Sequence, residues 1–215
     1  MNTLNDEIIQ DGDPNARKAF GLVILKNSHS EIRRIKKQDS IPSIHGNKFW
    51  YSSYFVMDYL LSHPLKPGSH VMEVGCGWGL AGIFCAKLFN ARVTGIDADP
   101  DVFPYLHLHA KINNVSIHTE KKTFQRITST KLSDVDILIG SDICFWDNMV
   151  RPLFNLFKRA MKSGVKQIVL ADPGRSPFRE LCELCSEEMK TSVLSREVSI
   201  PTKNSGSLLV IKPGR

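Results

Sequence analysis

The stretch VMEVGCGWGLAG, residues 71–82, decides how the chain is read. Gly75, Gly77 and Gly79 crowd the point where one apolar run ends and another begins. Glycine accepts positive φ and lets main chain approach a ligand that a Cβ would hold off, at an entropic cost elsewhere. A strand, a glycine bend and a helix N-terminus in succession form a place for a ligand to lie against backbone. A dinucleotide fingerprint G-x-G-x-x-G would need its third glycine at position 80, which is Leu80. The pattern is instead E-x-G-x-G-x-G, from Glu73 to Gly79, and the next apolar run, RVTGID, ends in Asp97. An acid at that strand end is placed to accept hydrogen bonds from ribose hydroxyls.

Outward from the bend, short apolar runs alternate with helical patterns, as in a parallel sheet built from βαβ units. HVMEVG reads as the first strand, LAGIFCAKLFN as its helix and RVTGID as the second strand. PDVFPYLHLHAKINN is helical from about Val102, with Pro100 suited to the helix start and Pro104 within the first turn. VSIHTEKK follows as a strand, and DVDILIGSD as a buried strand without alternation. NMVRPLFNLFKRAMKSG is a helix ending at Gly164, KQIVLAD a strand and PFRELCELCSEEMK a helix. SVLSREVSI and GSLLVIK are separated only by the turn-like PTKNS, so they form a hairpin. The expectation is a Rossmann-like α/β fold: a seven-stranded, mostly parallel sheet with helices on both faces and a C-terminal antiparallel hairpin. Upstream, NKFWYSSYFVMDYLLSHP (47–64) reads as a helix beside the glycine bend, broken by Pro64. Residues 1–45 are expected to be an N-terminal extension packed on a catalytic domain of residues 46–215.

At 215 residues, one core is expected. Hydrophobic residues at 42% and charged residues at 23% match a soluble globular chain. No apolar run approaches the ~20 residues of a spanning helix, and the acidic opening MNTLNDEIIQDGDP has no apolar signal core, so a cytosolic protein is expected. The five cysteines lie mostly in apolar segments, as reduced core thiols do; CELC at 182–185 has no second pair to complete a metal site, and none is expected. The net charge of +6, much of it in EIRRIKKQ at 31–38, reads as a solvated helix face before it reads as a nucleic-acid contact.

VMEVGCGWG with VTGID resembles the glycine motif and following acidic motif of class I, seven-strand, S-adenosylmethionine-dependent methyltransferases. Within that class the chain is similar to the protein lysine methyltransferase group. FWYSSYFVMDYL sits where that group places a cofactor-contacting Trp, KTFQRI (122–127) where an aromatic covers adenine, and GSDICFW (140–146) matches its acidic-x-x-aromatic motif. LADPGR (170–175) further resembles the branch that methylates lysines of the electron transfer flavoprotein β subunit. The likeness runs over roughly residues 45–212. It implies S-adenosylmethionine as cofactor, with S-adenosylhomocysteine as product, and a protein substrate. Glu73, Gly75 and Gly77 would lie near the methionine and sugar, Asp97 would hold the ribose, Phe124 would stack on adenine, Trp50 would close the pocket, and Ser141 would complete the cofactor contacts.

Methyl transfer to an amine is an in-line displacement in which the protein aligns donor and acceptor. A carboxylate with pKa near 4 is a poor base for an ammonium, so the resemblance gives Asp142 an orienting role, with Phe145 and Trp146 walling a lysine channel. A helix N-cap is the alternative for Asp142, although Asp147 or Asn148 is better placed for it. Asp172 and Arg175 are either a substrate-facing pair or parts of a strand-to-helix turn. The competing functions are methylation of a small molecule or a protein arginine, a non-catalytic cofactor-binding scaffold, and an NAD-dependent oxidoreductase, the last opposed by Leu80. SDICFW lacks the prolines of an amino-base methylation motif, so a nucleic-acid substrate is not expected.

Overall fold

The computed structural model describes residues 12–38, 42 and 45–214. The chain enters as a short hairpin, β1 (Ala16–Ala19) and β2 (Leu22–Leu25), then α1 (Ser30–Lys37) and α2 (Ser52–Ser62). α1 buries Ile32 and Ile35 and turns Arg33, Arg34 and Lys37 outward, so its basic run is the exposed face of an amphipathic helix. Asn113 grips the hairpin from the core side: its Oδ1 accepts from the Val23 amide and its Nδ2 donates to the Val23 carbonyl, both at 2.9 Å.

The sheet follows. β3 (His70–Val74) leads through the bend to α3 (Leu80–Phe89), β4 (Arg92–Asp97), a 3₁₀ turn at Pro100–Val102 and α4 (Phe103–Ile112). β5 (His118–Lys121), a 3₁₀ turn at Phe124–Arg126, the single-turn α5 (Ser129–Leu132) and β6 (Ile137–Ser141) come next. A 3₁₀ turn at Asp147–Met149, α6 (Val150–Lys162), β7 (Gln167–Asp172), α7 (Ser176–Glu188), β8 (Lys190–Val198) and β9 (Asn204–Lys212) complete the chain. The strand order is β5-β4-β3-β6-β7-β9-β8, parallel from β5 to β7 and antiparallel at β9 and β8. This is the expected seven-strand arrangement with its closing hairpin.

Every residue of β3 is buried, because helices cover both faces of a parallel sheet and no side chain is left to water. Val71, Ile139 and Val169 pack with α2 and α3, while Met72, Leu138, Ile168 and Leu170 face α6 and α7. Pro100 opens the 3₁₀ turn before α4, and the Asp99 carboxylate accepts from the Asp101 amide at 3.0 Å to cap it. Gly164 sits just past α6 at φ +97°, a left-handed stop that suits glycine. One expectation is corrected at the other end of α6: neither Asp147 nor Asn148 caps it by a side-chain hydrogen bond, since the Asp147–Met149 3₁₀ turn leads the backbone directly into the helix.

Candidate active site

Both ends of the order β4-β3-β6-β7 send their loops to the same rim, because the strands run parallel and the chain reverses its direction of growth between β3 and β6. Ligands of open α/β sheets bind at such a switch point, outside the carboxyl ends of the strands. A cavity of about 370 Å³ lies there. Of the residues singled out from the sequence, Trp50, Glu73, Gly75, Gly77, Asp97, Phe124, Ser141, Asp142 and Phe145 line it, whereas Trp146, Asp172 and Arg175 do not.

The three glycines of the bend all have positive φ, and they differ in what a side chain would strike. A Cβ on Gly75 would fall 2.4 Å from Ile143 Cγ2, and one on Gly79 would fall 2.6 Å from Leu106 Cδ1; one on Gly77 meets nothing within 4 Å. Gly75 and Gly79 therefore serve packing, and Gly77 is the glycine that bares backbone to open space. Its amide is already committed, donating to Asp97 Oδ2 at 3.0 Å, and the Gly79 amide bonds the Cys76 carbonyl at 2.7 Å. The bend thus offers a shallow, side-chain-free wall more than a set of free donors.

Asp97 also accepts from the Asp99 amide at 3.0 Å. Burial raises its pKa, and these amide hydrogen bonds work against the rise by favouring the charged form. A carboxylate has about four acceptor positions, so two amides leave room for a ligand's hydroxyls. Glu73 looks inward: its Oε2 accepts from the Gly82 amide at 3.0 Å, tying β3 to the first turn of α3, and burial pushes its pKa up to about 8. Phe124 is held in place from below, because Arg159 on α6 donates from Nη2 to the Phe124 carbonyl and from Nε to the Ile127 carbonyl, at 2.8 and 2.7 Å.

At the other end, aromatic rings gather. His45 stacks on Phe145 with centroids 4.5 Å apart, Trp50 meets Phe145 edge-on at 5.5 Å, and Trp146 stands 44% exposed at the rim. Trp50 donates from Nε1 to the His45 carbonyl at 2.8 Å, and Trp78 donates to the Gly46 carbonyl at 3.0 Å while stacking on Tyr105. These two indoles pin the segment before α2 across the mouth. The contributions of His45 and Trp78 were not legible beforehand: His45 lies outside every periodic run, and Trp78 sits inside a motif read for its glycines.

Asp142 departs from its expected role. At φ +55° and only 4% exposed, it accepts from the Ser52 amide at Oδ2 (3.2 Å) and pairs with Arg175 Nη1 at Oδ1 (2.8 Å). It stands at the N-terminus of α2, a helix far away in sequence, and does not stand open to capture an amine. Asp172 is 1% exposed, accepts from the amides of Gly174 and Arg175 at 2.8 Å, and meets Arg175 Nη1 at 2.7 Å. Burial raises its pKa, against those bonds. The pair does not face a substrate through Asp172; that carboxylate shapes the turn, with Gly174 at φ +102°. The guanidinium of Arg175 lies over Phe145, 4.4 Å from the ring centroid.

Among the described residues no group of three or more His, Cys, Asp or Glu could hold a metal ion. Burial pushes the Cys182 and Cys185 thiols to about 12, as for inert core sulfurs. Among the described residues no helix is long and apolar enough to cross a membrane.

Residues 71–164 match the family model described as "Methyltransferase domain". The chain is similar to that domain over this stretch, which holds the glycine bend, Asp97, Asp142 and Phe145. It is 30% identical over 142 residues to a Dictyostelium discoideum protein named histidine protein methyltransferase 1 homolog, covering 61% of this chain and 45% of that one. It is 28% identical over 87 residues to a Nitrosococcus oceani ubiquinone biosynthesis O-methyltransferase, covering 40% and 36%. It is 23% identical over 133 residues to the Xenopus laevis electron transfer flavoprotein beta subunit lysine methyltransferase, covering 60% and 52%. The chain therefore spans about half, or less, of the length of these relatives. Among solved structures, the M. capricolum protein TrmK in complex with its natural cofactor product S-adenosyl-homocysteine superposes with a TM-score of 0.54 at 7% identity, over 78% of this chain and 70% of that one. The cofactor of such a methyltransferase domain is S-adenosylmethionine. The cavity fits it: backbone is bare at Gly77, a half-buried carboxylate closes β4, and the volume falls at the small-ligand scale of roughly 300–1,000 Å³.

Proposed function

We propose that the chain is a protein-lysine N-methyltransferase. The observation that carries this reading is the division of one cavity into a donor end, at Gly77 and Asp97, and an aromatic end at Trp50 and Phe145 that opens beside exposed Trp146. Asp97 binds the ribose hydroxyls, Gly75, Gly77 and the Glu73 region face the methionine and sugar, Phe124 covers the adenine, Ser141 lies at the junction, and Trp50 closes the mouth. When bound, S-adenosylmethionine supplies a methyl carbon on a sulfonium: the acceptor's lone pair bonds that carbon while the carbon–sulfur bond breaks and its electron pair remains on sulfur.

The chain's own work is alignment and exclusion of water, which together account for much of such a displacement. Asp142 acts by fixing the start of α2, and with it Trp50, against the β6 exit that carries Phe145. An amine acceptor must arrive without its proton, which at pH 7 costs roughly 4–5 kcal/mol for an unperturbed lysine. Two of the relatives bear the names of protein methyltransferases, which supports a protein substrate. The ubiquinone-related relative keeps small-molecule O-methylation as a second reading. We also propose a cytosolic location, consistent with five free, buried thiols, no nucleic-acid partner, and the division into a 1–45 extension and a 46–215 catalytic domain.

Incubation with radiolabelled methyl donor and a cell extract, followed by mass spectrometry of the labelled species, tests this. Label on a protein lysine supports the proposal, whereas label on a small lipophilic phenol, or on nothing, defeats it.

A further inference from the structure

We propose that Lys48 is a methyl acceptor within its own chain, modified in cis at the cavity it lines. The inference rests on the lysine reading above and deepens it by naming one acceptor nitrogen. Aromatic faces seat an ammonium ion. The Lys48 Nζ lies 4.2 Å from the Trp50 ring centroid, and Trp50 meets Phe145 edge-on with centroids 5.5 Å apart. Lys48 also lines the cavity whose other end holds Gly77 and Asp97. The aromatic wall read as a lysine channel therefore already holds a lysine.

The neighbouring nitrogens are placed differently. Among the described residues two lysines line the cavity, Lys48 and Lys122, and the Lys122 Nζ is held by Glu120 Oε2 at 2.6 Å. Lys48 is exposed, and among the described residues no carboxylate pairs with it. Arg175 stands farther from the Trp50 centroid, at 5.9 Å, and its Nη1 is bound to Asp142 at 2.8 Å and to Asp172 at 2.7 Å. His45 lines the cavity too, but its ring is stacked on Phe145 at 4.5 Å and flanked by Trp50 and Trp146, with centroids at 5.9 and 5.5 Å. Lys48 combines access to water, where its proton can go, with freedom from an ion pair.

The main chain around Lys48 is anchored, and its side chain is not. Trp50 Nε1 donates to the His45 carbonyl, Trp78 Nε1 to the Gly46 carbonyl and the Ser52 amide to Asp142, at 2.8, 3.0 and 3.2 Å. Lys48 lies between these anchors, so its backbone stays beside the cavity while its flexible four-carbon stem carries the nitrogen. Tethering makes the encounter with the donor intramolecular. Lys48 loses a proton from Nζ to solvent, and its lone pair bonds the methyl carbon of the bound donor while the carbon–sulfur bond breaks and leaves its pair on sulfur. Methylation keeps the positive charge, so the modified side chain retains its seat on Trp50.

The test incubates the purified full chain, with no other protein, with S-adenosylmethionine carrying a labelled methyl group, and maps the label by peptide mass spectrometry. The expected result is label on Lys48, at a first-order rate that is unchanged by roughly tenfold dilution of the chain and is suppressed by excess S-adenosylhomocysteine. Lys48→Arg, checked for folding by circular dichroism, is expected to lose the label. Methyl groups already on Lys48 at purification count as transfer only where Asp97→Ala, expressed in the same way, lacks them. Label on His45 or another residue in place of Lys48, a rate that falls with dilution, label that persists under excess S-adenosylhomocysteine, or an unlabelled chain that still binds S-adenosylhomocysteine in calorimetry overturns the inference. Failure of S-adenosylhomocysteine to bind the wild type would instead sink the methyltransferase reading itself.

Discussion

The amide of Gly77 donates to Oδ2 of Asp97 across 3.0 Å, so the bend after β3 is braced by the last residue of β4. One carboxylate thus does two things. It holds the loop that lacks side chains, and it keeps acceptor positions for a ligand's hydroxyls.

Asp97→Ala removes both. Hydrogen bonds to a charged group contribute about 1.5–3 kcal/mol each, so calorimetry with S-adenosylhomocysteine should show affinity falling by roughly tenfold to a hundredfold. Asp97→Asn, which can brace the loop through its carbonyl oxygen, should lose less.

Gly77 and Gly79 should part company on substitution. Gly77→Ala has open space for its methyl, and pays mainly the left-handed backbone cost of roughly 1–2 kcal/mol, while its methyl enters the cavity and weakens cofactor binding. Gly79→Ala drives its methyl to 2.6 Å from Leu106 Cδ1, adding about 1–3 kcal/mol of overpacking to the same backbone cost. Denaturant melts should therefore rank Gly79→Ala as the less stable, and ligand titration should rank Gly77→Ala as the weaker binder relative to its stability.

His109 makes the fold sensitive to acid. Its Nδ1 donates to the Tyr105 carbonyl, its Nε2 accepts from the Leu25 amide at 3.1 Å, and burial lowers its pKa from 6.5 to about 4. A lowered folded-state pKa means that the unfolded chain takes up the proton first. The contribution is intact above pH 6.5 and is lost as pH falls from 6.5 towards 4, by about 3 kcal/mol in all. Glu73, raised to about 8 by burial, slopes the other way between 4.5 and 8, so the readout is a difference between two proteins and not the profile of one. Urea midpoints should show wild type and His109→Gln closer together at pH 5 than at pH 7, by about 2 kcal/mol.

The strands and long helices were legible because their residues are apolar in runs matched to period and length, and because the turn between β8 and β9 is too short for a helix. The donor end was legible for a related reason: glycines at a strand end, and an acid at the next one, are local patterns. The acceptor end was only half readable. Asp142, Phe145 and Arg175 could each be picked out, but the 2.8 Å contact between Asp142 and Arg175 joins two loops from different strands, and no spacing encodes it. The hairpin of β1 and β2 went unseen because its four-residue strands are stabilised by Asn113 and His109, ninety positions or so downstream, and not by a pattern of their own. α5, at four residues, is too short to show a period.

The sulfurs are distributed in a way that bears on how the molecule breathes. Cys76 and Cys85 belong to the core on the α2 and α3 side of the sheet, whereas Cys144, Cys182 and Cys185 belong to the core on the α6 and α7 side, and all five are buried. Cys76 also lines the cavity, but a thiol alkylating reagent can reach Cys85, and the set on the other side, only when the covering layer lifts from the strands. The protein thus carries an internal pair of labels, one per layer, whose relative rates of modification would reveal which side of the sheet opens first.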